Sequence, residues 1–413
     1  MLRILFTFAG GSGHLEPLVP LAQAAESAGH TVAFAGRPWM LPQVEALGFS
    51  AFASGSDAGL TPRRRPLVAI DMEREMRDVG EGFGRRIARE RAADVLALCA
   101  AWRPDLLVCE ELDFGPMIVA ERLRLPCATV LVNASGAFVR PDVVAGPLNE
   151  VRAEYGLEPD PELAMPGRHL VLSSFPLGFR DPAAPWPATA HALRLFSRAA
   201  GCAAAREAGL ATGRAARPAG ARPAGLAAAR DEPTPAWLAL LGERPVVYVT
   251  LGTVFNMESG DLFQRVLTGL RELPVELVVT VGRDLDPAEL DPQPANVHIE
   301  RYVPQAMLLP CCRLVVSHGG SGSVLGALAH GLPMVLLPLG ADQPFNAARC
   351  ETLGVARVLD AVGATQRTVR EAVTGVLDDP AYRRAAEVFR DEIDALPGPQ
   401  HAVRLLEGLA PAH

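Results

Sequence analysis

The stretch His318-Gly319-Gly320-Ser321-Gly322-Ser323 stands between a buried apolar run, Leu314-Val315-Val316, and a helical pattern, Val324-Leu325-Gly326-Ala327-Leu328. A strand, a glycine-rich turn and a helix start together make an anion site: unbonded backbone N–H groups, a positive dipole end, and no side chains in the way. A second string, Gly340-Ala341-Asp342-Gln343-Pro344, follows the next strand, Met334 to Leu337. It sets a carboxylate and a carboxamide beside the phosphate site, where vicinal hydroxyls would find partners. Diphosphate plus sugar implies a nucleotide-sugar donor.

Outward from this point the same alternation continues. The second half reads as strands Val246 to Leu251, Glu276 to Val281, Val297 to Glu300, Leu314 to Ser317 and Met334 to Leu337. Its helices are Asp261 to Glu272, Val324 to His330, Phe345 to Leu353, Val369 to Leu377 and Ala381 to Leu396. The first half offers strands at Leu2 to Ala9, Thr31 to Ala35, Asp105 to Glu110 and Cys127 to Asn133, with helices at Leu18 to Gly29 and Pro38 to Leu47. Buried strands alternating with helices predict parallel pairing, hence two doubly wound α/β domains with ligands at the carboxyl ends of the strands. The expected division is 1–195, a low-complexity linker or insert over 196–235, a second domain over 236–400, and a last helix within 401–413. The stretch Ala199 to Asp231, almost wholly Ala, Arg, Gly and Pro, cannot bury a core. It reads as an insertion or a locally altered reading frame. Between Ser54 and Cys99 the chain turns polar and arginine-rich, with a helical run from Met72 through Leu98.

At 413 residues the chain is too long for one core. Its net charge of -8 argues against nucleic acid or an anionic membrane as partner. No apolar run reaches spanning length, and the N-terminus opens directly on a strand, so a cytoplasmic protein is expected. The seven cysteines include no CxxC pair and read as reduced, buried hydrophobes. The sequence contains no lysine. That excludes Schiff-base chemistry, a pyridoxal phosphate anchor and a P-loop. Asp284-Leu285-Asp286 matches a metal-binding DxD pattern, but a three-residue match in a polar, proline-rich loop carries little weight, and no metal or other cofactor is expected.

His14 closes Phe8-Ala9-Gly10-Gly11-Ser12-Gly13-His14-Leu15-Glu16-Pro17, a strand end, glycine turn and helix start. The glycines admit a close substrate, and a helix N-terminus favours a neutral ring able to accept a proton. The residues alone leave open a dinucleotide-binding turn with His14 as an incidental cap, although the third glycine such a turn wants near Glu16 is absent.

Together with Val249-Thr250-Leu251-Gly252-Thr253 and Tyr302-Val303-Pro304-Gln305, these strings resemble the family 1 glycosyltransferases of GT-B fold, most of all the bacterial branch acting on natural products. The resemblance covers most of the chain outside Ala199 to Asp231. It implies an inverting, metal-independent transfer from a dTDP- or UDP-sugar to a hydroxyl of a small lipophilic acceptor. His14 would be the general base, with Gly11, Ser12 and Gly13 on the acceptor side. Members commonly place an aspartate where this chain has Glu110; the glutamate is one methylene longer, and Glu111 and Asp113 are its rivals. On the donor side Thr253 would meet a phosphate, or serve as a helix N-cap. Tyr302 would stack on the base, backbone near Val303 would read its edge, and Gln305 would assist at the base or ribose. His318, with Gly320, Ser321, Gly322 and Ser323, would take the diphosphate, and Asp342 and Gln343 the sugar. The last helix would cross back to the first domain. A homodimer is left open. Two alternatives remain at this level: a 2-epimerase of the same fold, and a catalytically silent binding or helper protein.

Overall fold

In the first strand, β1 (Arg3–Thr7), Ile4 and Phe6 enter one hydrophobic cluster and Leu5 the opposite one. A strand buried on both faces needs helices on both sides, which is the condition for a parallel sheet. This computed structural model describes residues 1–57, 64–195, 237, 238, 241, 244–252, 255–290 and 292–410. The first sheet contains β1, β2 (Thr31–Gly36), β3 (Ser50–Ala53), β4 (Leu106–Glu110), β5 (Cys127–Leu131), β6 (Leu170–Ser173) and β7 (Ala190–Ala192), in the order β3-β2-β1-β4-β5-β6-β7. The second contains β8 (Val246–Thr250), β9 (Glu276–Thr280), β10 (Val297–Glu300), β11 (Cys312–Ser317), β12 (Met334–Leu336) and β13 (Ala356–Val358), in the order β10-β9-β8-β11-β12-β13. Every pairing is parallel. The two doubly wound, Rossmann-like units of the GT-B arrangement are therefore present.

Each order reverses at one point, between β1 and β4 in the first sheet and between β8 and β11 in the second. In such sheets the crevice beyond the carboxyl ends at the reversal is where ligands sit. His14 follows β1 and Glu110 ends β4, while Gly252 follows β8 and His318 follows β11. Both candidate clusters occupy the reversal points.

The halves are packed on one another. Phe175 and Phe179 of the first half join a core cluster with Val324, Leu328 and Phe389, and Ala341 and Phe345 of the second pack against a first-half cluster. The final helix, Pro399–Leu409, buries Ala402, Val403 and Leu406 against the first sheet's layer, and its Glu407 lies 3.0 Å from His30 Nε2. The arginine-rich region forms helix Met72–Arg77, a ten-residue π-helix over Asp78–Ile87, and helix Ala88–Trp102. Gly80 permits it: a Cβ there would stand 2.6 Å from the Val143 carbonyl in helix Pro141–Glu154. The expected linker over 196–235 lies outside the described residues. Cys99, Cys109, Cys127, Cys312 and Cys350 are free thiols, and all but half-buried Cys127 are buried. Among the described residues no helix is long and apolar enough to cross a membrane.

Leu406 is fully buried. Leu406→Ala should lower the stability of the first half by about 2–5 kcal/mol in urea titration, whereas Leu123→Ala, at a 42 % exposed site, should cost no more than about 0.5 kcal/mol.

Candidate active site

The turn after β1 folds the His14 ring back over the strand end. Gly10 makes this possible, since a Cβ there would lie 2.1 Å from His14 Cδ2. The ring's Nδ1 stands 2.9 Å from Glu110 Oε1, with the histidine side chain 22 % exposed and the glutamate fully buried. Its face stacks on Phe83 of the π-helix, centroids 6.0 Å apart and planes 13° apart. Trp39, 40 % exposed, lies over Gly11, and Gly13 faces open space. Ser12 Oγ is 3.4 Å from Gln43 Oε1.

Glu110 is held from three sides. Oε1 also accepts the Ala9 N–H at 3.1 Å, and Oε2 accepts the Leu112 N–H at 2.8 Å. Burial pushes its carboxyl up, but His14 and the two backbone donors prevail and hold it below the usual range. The rivals are engaged elsewhere. Glu111 Oε2 accepts from the N–H groups of Val132 and Asn133 and from the Asn133 amide, and Asp113 binds the guanidinium of buried Arg91 in a two-point contact at 2.6 Å. Burial raises the pKa of both. For His14, burial disfavours the charged ring, yet Glu110, with Asp342 and Asp113 more weakly, raises its proton affinity above the ordinary 6.5. Burial and the carboxylates thus act on the ring in opposite senses, and the carboxylates set the direction.

On the second half, His318 lies in a slot of two glycines. A Cβ on Gly252 or on Gly320 would stand 2.5 Å from its Nε2, and Gly252 also has a φ of 77°. Burial pushes the imidazole down to about 4 against a hydrogen bond to the Thr250 backbone, so the ring is neutral. Helix Ser321–Ala329 starts from Gly320 with no side-chain cap. Its N–H groups at Ser321, Gly322 and Ser323 precede the first in-helix bond, Val324 N–H to the Gly320 carbonyl. Gly322 faces open space.

Several expected donor residues turn out differently. The Ser321 hydroxyl is already committed: it donates to Asp342 Oδ2 at 2.7 Å and accepts the Ala134 N–H at 2.8 Å. Asn346, which sequence reasoning missed, gathers the rest. Its Nδ2 donates to Gly319 O, Ser321 Oγ and Asp342 Oδ2, and its Oδ1 accepts the Ser135 N–H. The i, i+4 spacing from Asp342 on a helix start was the available signal. Enclosure raises the Asp342 carboxyl despite these donors. Gln343 is buried, with Oε1 accepting the Leu339 N–H at 2.8 Å, which closes its own loop. Val303 is a core side chain and Tyr302 is half-buried. The Gln305 side chain hydrogen-bonds the buried Tyr248 hydroxyl and lies against Gly326. Thr253 lies outside the described residues. Among the described residues no cluster could hold a metal ion.

A cavity of about 820 Å³ borders the π-helix on another side, between Met72, Met76, Val143 and Pro147 of the first half and Pro344 and Phe345 of the second.

Comparison with known proteins adds a family. Residues 264–409 match the model described as "Erythromycin biosynthesis protein CIII-like, C-terminal domain". The chain is 32 % identical over 435 residues to 4'-demethylrebeccamycin synthase of Lentzea aerocolonigenes, covering 98 % of this chain and 99 % of that one. It is 28 % identical to 3-alpha-mycarosylerythronolide B desosaminyl transferase of Saccharopolyspora erythraea, over 99 % and 98 % of the two chains. A glycosyltransferase from Streptomyces sp. SF2575, solved with thymidine diphosphate, superposes with a TM-score of 0.72 at 24 % identity, over 99 % of this chain and 100 % of that one, which shows the shared fold.

The His14–Glu110 pair is open to direct measurement. In an NMR pH titration the His14 ring should titrate above 6.5, and Glu110→Gln should shift that midpoint to lower pH. An unmoved midpoint would mean that the carboxylate does not act on the ring.

Proposed function

The chain belongs to the family 1 glycosyltransferases of GT-B fold, in the branch that serves bacterial natural products, and on that premise we propose an inverting transfer of sugar from a dTDP- or UDP-sugar to a hydroxyl of a small lipophilic acceptor. The observation that carries this reading is the meeting of two reversal points. His14 with its carboxylate stands at one, an uncapped helix start with His318 at the other, and Asp342 is near enough to His14 to raise its proton affinity.

With Nδ1 directed at Glu110, the remaining lone pair of His14 is on Nε2, the atom that would take the acceptor proton. The freed oxygen attacks the anomeric carbon as the bond to the diphosphate breaks on the opposite face. The nucleoside diphosphate leaves with the electron pair. Its growing charge is met by the N–H groups of Ser321, Gly322 and Ser323 and by the helix dipole, with the His318 ring beside them. All are in position before reaction and therefore need no reorganisation. Asp342, through its second oxygen, and the Gln343 amide NH2 are the proposed partners of the sugar hydroxyls. Glu110 holds the tautomer and stabilises the imidazolium as it forms. Trp39 and Phe83 flank the base, and the cavity beyond the π-helix, where Met72, Met76, Val143 and Phe345 alternate with Glu73, Arg77, Glu81, Arg140 and Asp142, is the proposed place for the outer part of the acceptor.

His14→Ala should lower turnover by about 10²–10⁴-fold while calorimetry shows nucleoside diphosphate affinity nearly unchanged; near wild-type turnover would end the general-base role. The acidic limb of kcat/KM should follow the raised His14 pKa, so activity falls as pH drops through it, and Glu110→Gln should move that limb to lower pH. Turnover should persist in saturating EDTA. A requirement for a divalent ion would contradict the charge-neutralising part played here by backbone N–H groups.

A further inference from the structure

Helix Met72–Arg77 belongs to the first half, yet one of its side chains crosses the cleft. Glu75 Oε2 accepts the backbone N–H of Ala341 at 2.8 Å. Other charges on the helix pair locally, Arg74 with Asp78 and Arg77 with Glu73. Ala341 has a φ of 52°, a left-handed conformation disfavoured for a residue with a Cβ. That kink brings the next residue, Asp342, to Ser321 and Asn346 and into the field of His14. On the same short helix, Met72 and Met76 line the 820 Å³ cavity with Pro344 and Phe345. One helix therefore touches both the cavity and the loop that carries Asp342.

We propose that Glu75 is a positioning residue: by holding the Ala341 N–H it fixes the left-handed kink that aims Asp342, and it ties that loop to the helix bordering the acceptor cavity. The proposal rests on the sugar-binding role given to Asp342 above. A strained backbone conformation persists only where its surroundings over-determine it. Here the determinant comes from the opposite half, so the sugar-side loop is complete only when helix Met72–Arg77 is docked. Acceptor packing against that helix would then favour the loop in its reactive shape.

The test uses Glu75→Ala, Glu75→Gln, Ala341→Gly and the double variant E75A/A341G in the full chain, with two readouts. Amide exchange at Ala341 should quicken about three- to tenfold in E75A, the loss of one hydrogen bond. It should be unchanged in E75Q, whose carboxamide oxygen accepts the same N–H. Turnover should fall by a similar factor of about three to ten in E75A, with nucleoside diphosphate affinity unaltered, and be retained in E75Q. Glycine adopts positive φ freely, so A341G should restore part of the turnover lost in E75A. A Glu75 that merely stabilised its helix would not respond to a change at residue 341. Unchanged exchange in E75A, an E75Q as impaired as E75A, or no recovery in the double variant would each overturn the proposal. If exchange behaves as expected but the wild-type chain transfers no sugar, the hold on the loop stands and the transferase reading is what fails.

Discussion

The hydrogen bonds around Ser321 and Asn346 set how the two sheets face each other. Ser321 Oγ links Asp342 to the Ala134 N–H, and Asn346 links Gly319, Asp342 and the Ser135 N–H. These groups sit at the carboxyl edges of both sheets, where the strand orders reverse. Their donors and acceptors are largely withdrawn from water, so leaving one unmatched costs about 1–3 kcal/mol. The relative placement of His14 and the helix start at Ser321 depends on this knot, and with it the geometry proposed for transfer. Apolar contacts at Phe179 with Phe389 and Phe138 with Phe345 add area, but they fix no angle as hydrogen bonds do.

The glutamate at position 110 illustrates how a longer side chain is accommodated. Its extra methylene is taken up by folding the carboxylate back onto the N–H groups of Ala9 and Leu112, which leaves Oε1 at His14. The pairing with His14 thus depends on the turn after β1 as much as on the histidine itself. Gly10 links the two requirements, because any side chain there would collide with the ring.

The parallel architecture was legible in the chain because buried strands such as Leu106–Glu110 and Val246–Thr250 are continuous apolar runs. Short edge strands were not. Ser50–Ala53 and Ala190–Ala192 are partly exposed, and their residues carry no strong pattern. The π-helix over Asp78–Ile87 was hidden for another reason: its charged, glycine-containing sequence resembles a solvated helix, and only packing on helix Pro141–Glu154 reveals it. Within the site, the placing of His14 and His318 after strand ends followed from glycine turns, which are local signals, while Glu110 was singled out from its neighbours Glu111 and Asp113 only by the family resemblance. The roles of the Ser321 hydroxyl and the Gln343 carbonyl could not be read locally, because their partners are a distant backbone N–H and a loop closure. Phe83 and Glu75 carry no local signature at all; tertiary placement alone gives them meaning.

The central claim is that the donor lies with its diphosphate on the helix start at Ser321–Ser323 and its anomeric carbon between Asp342 and His14. A crystal structure of the chain with a non-transferable nucleoside-diphosphate-sugar analogue tests it most directly. The account predicts phosphate oxygens within hydrogen-bond reach of the Ser321, Gly322 or Ser323 N–H groups and of His318, with a sugar hydroxyl on Asp342. A diphosphate bound away from that helix start, or a sugar turned out of the cleft and away from His14, would contradict it.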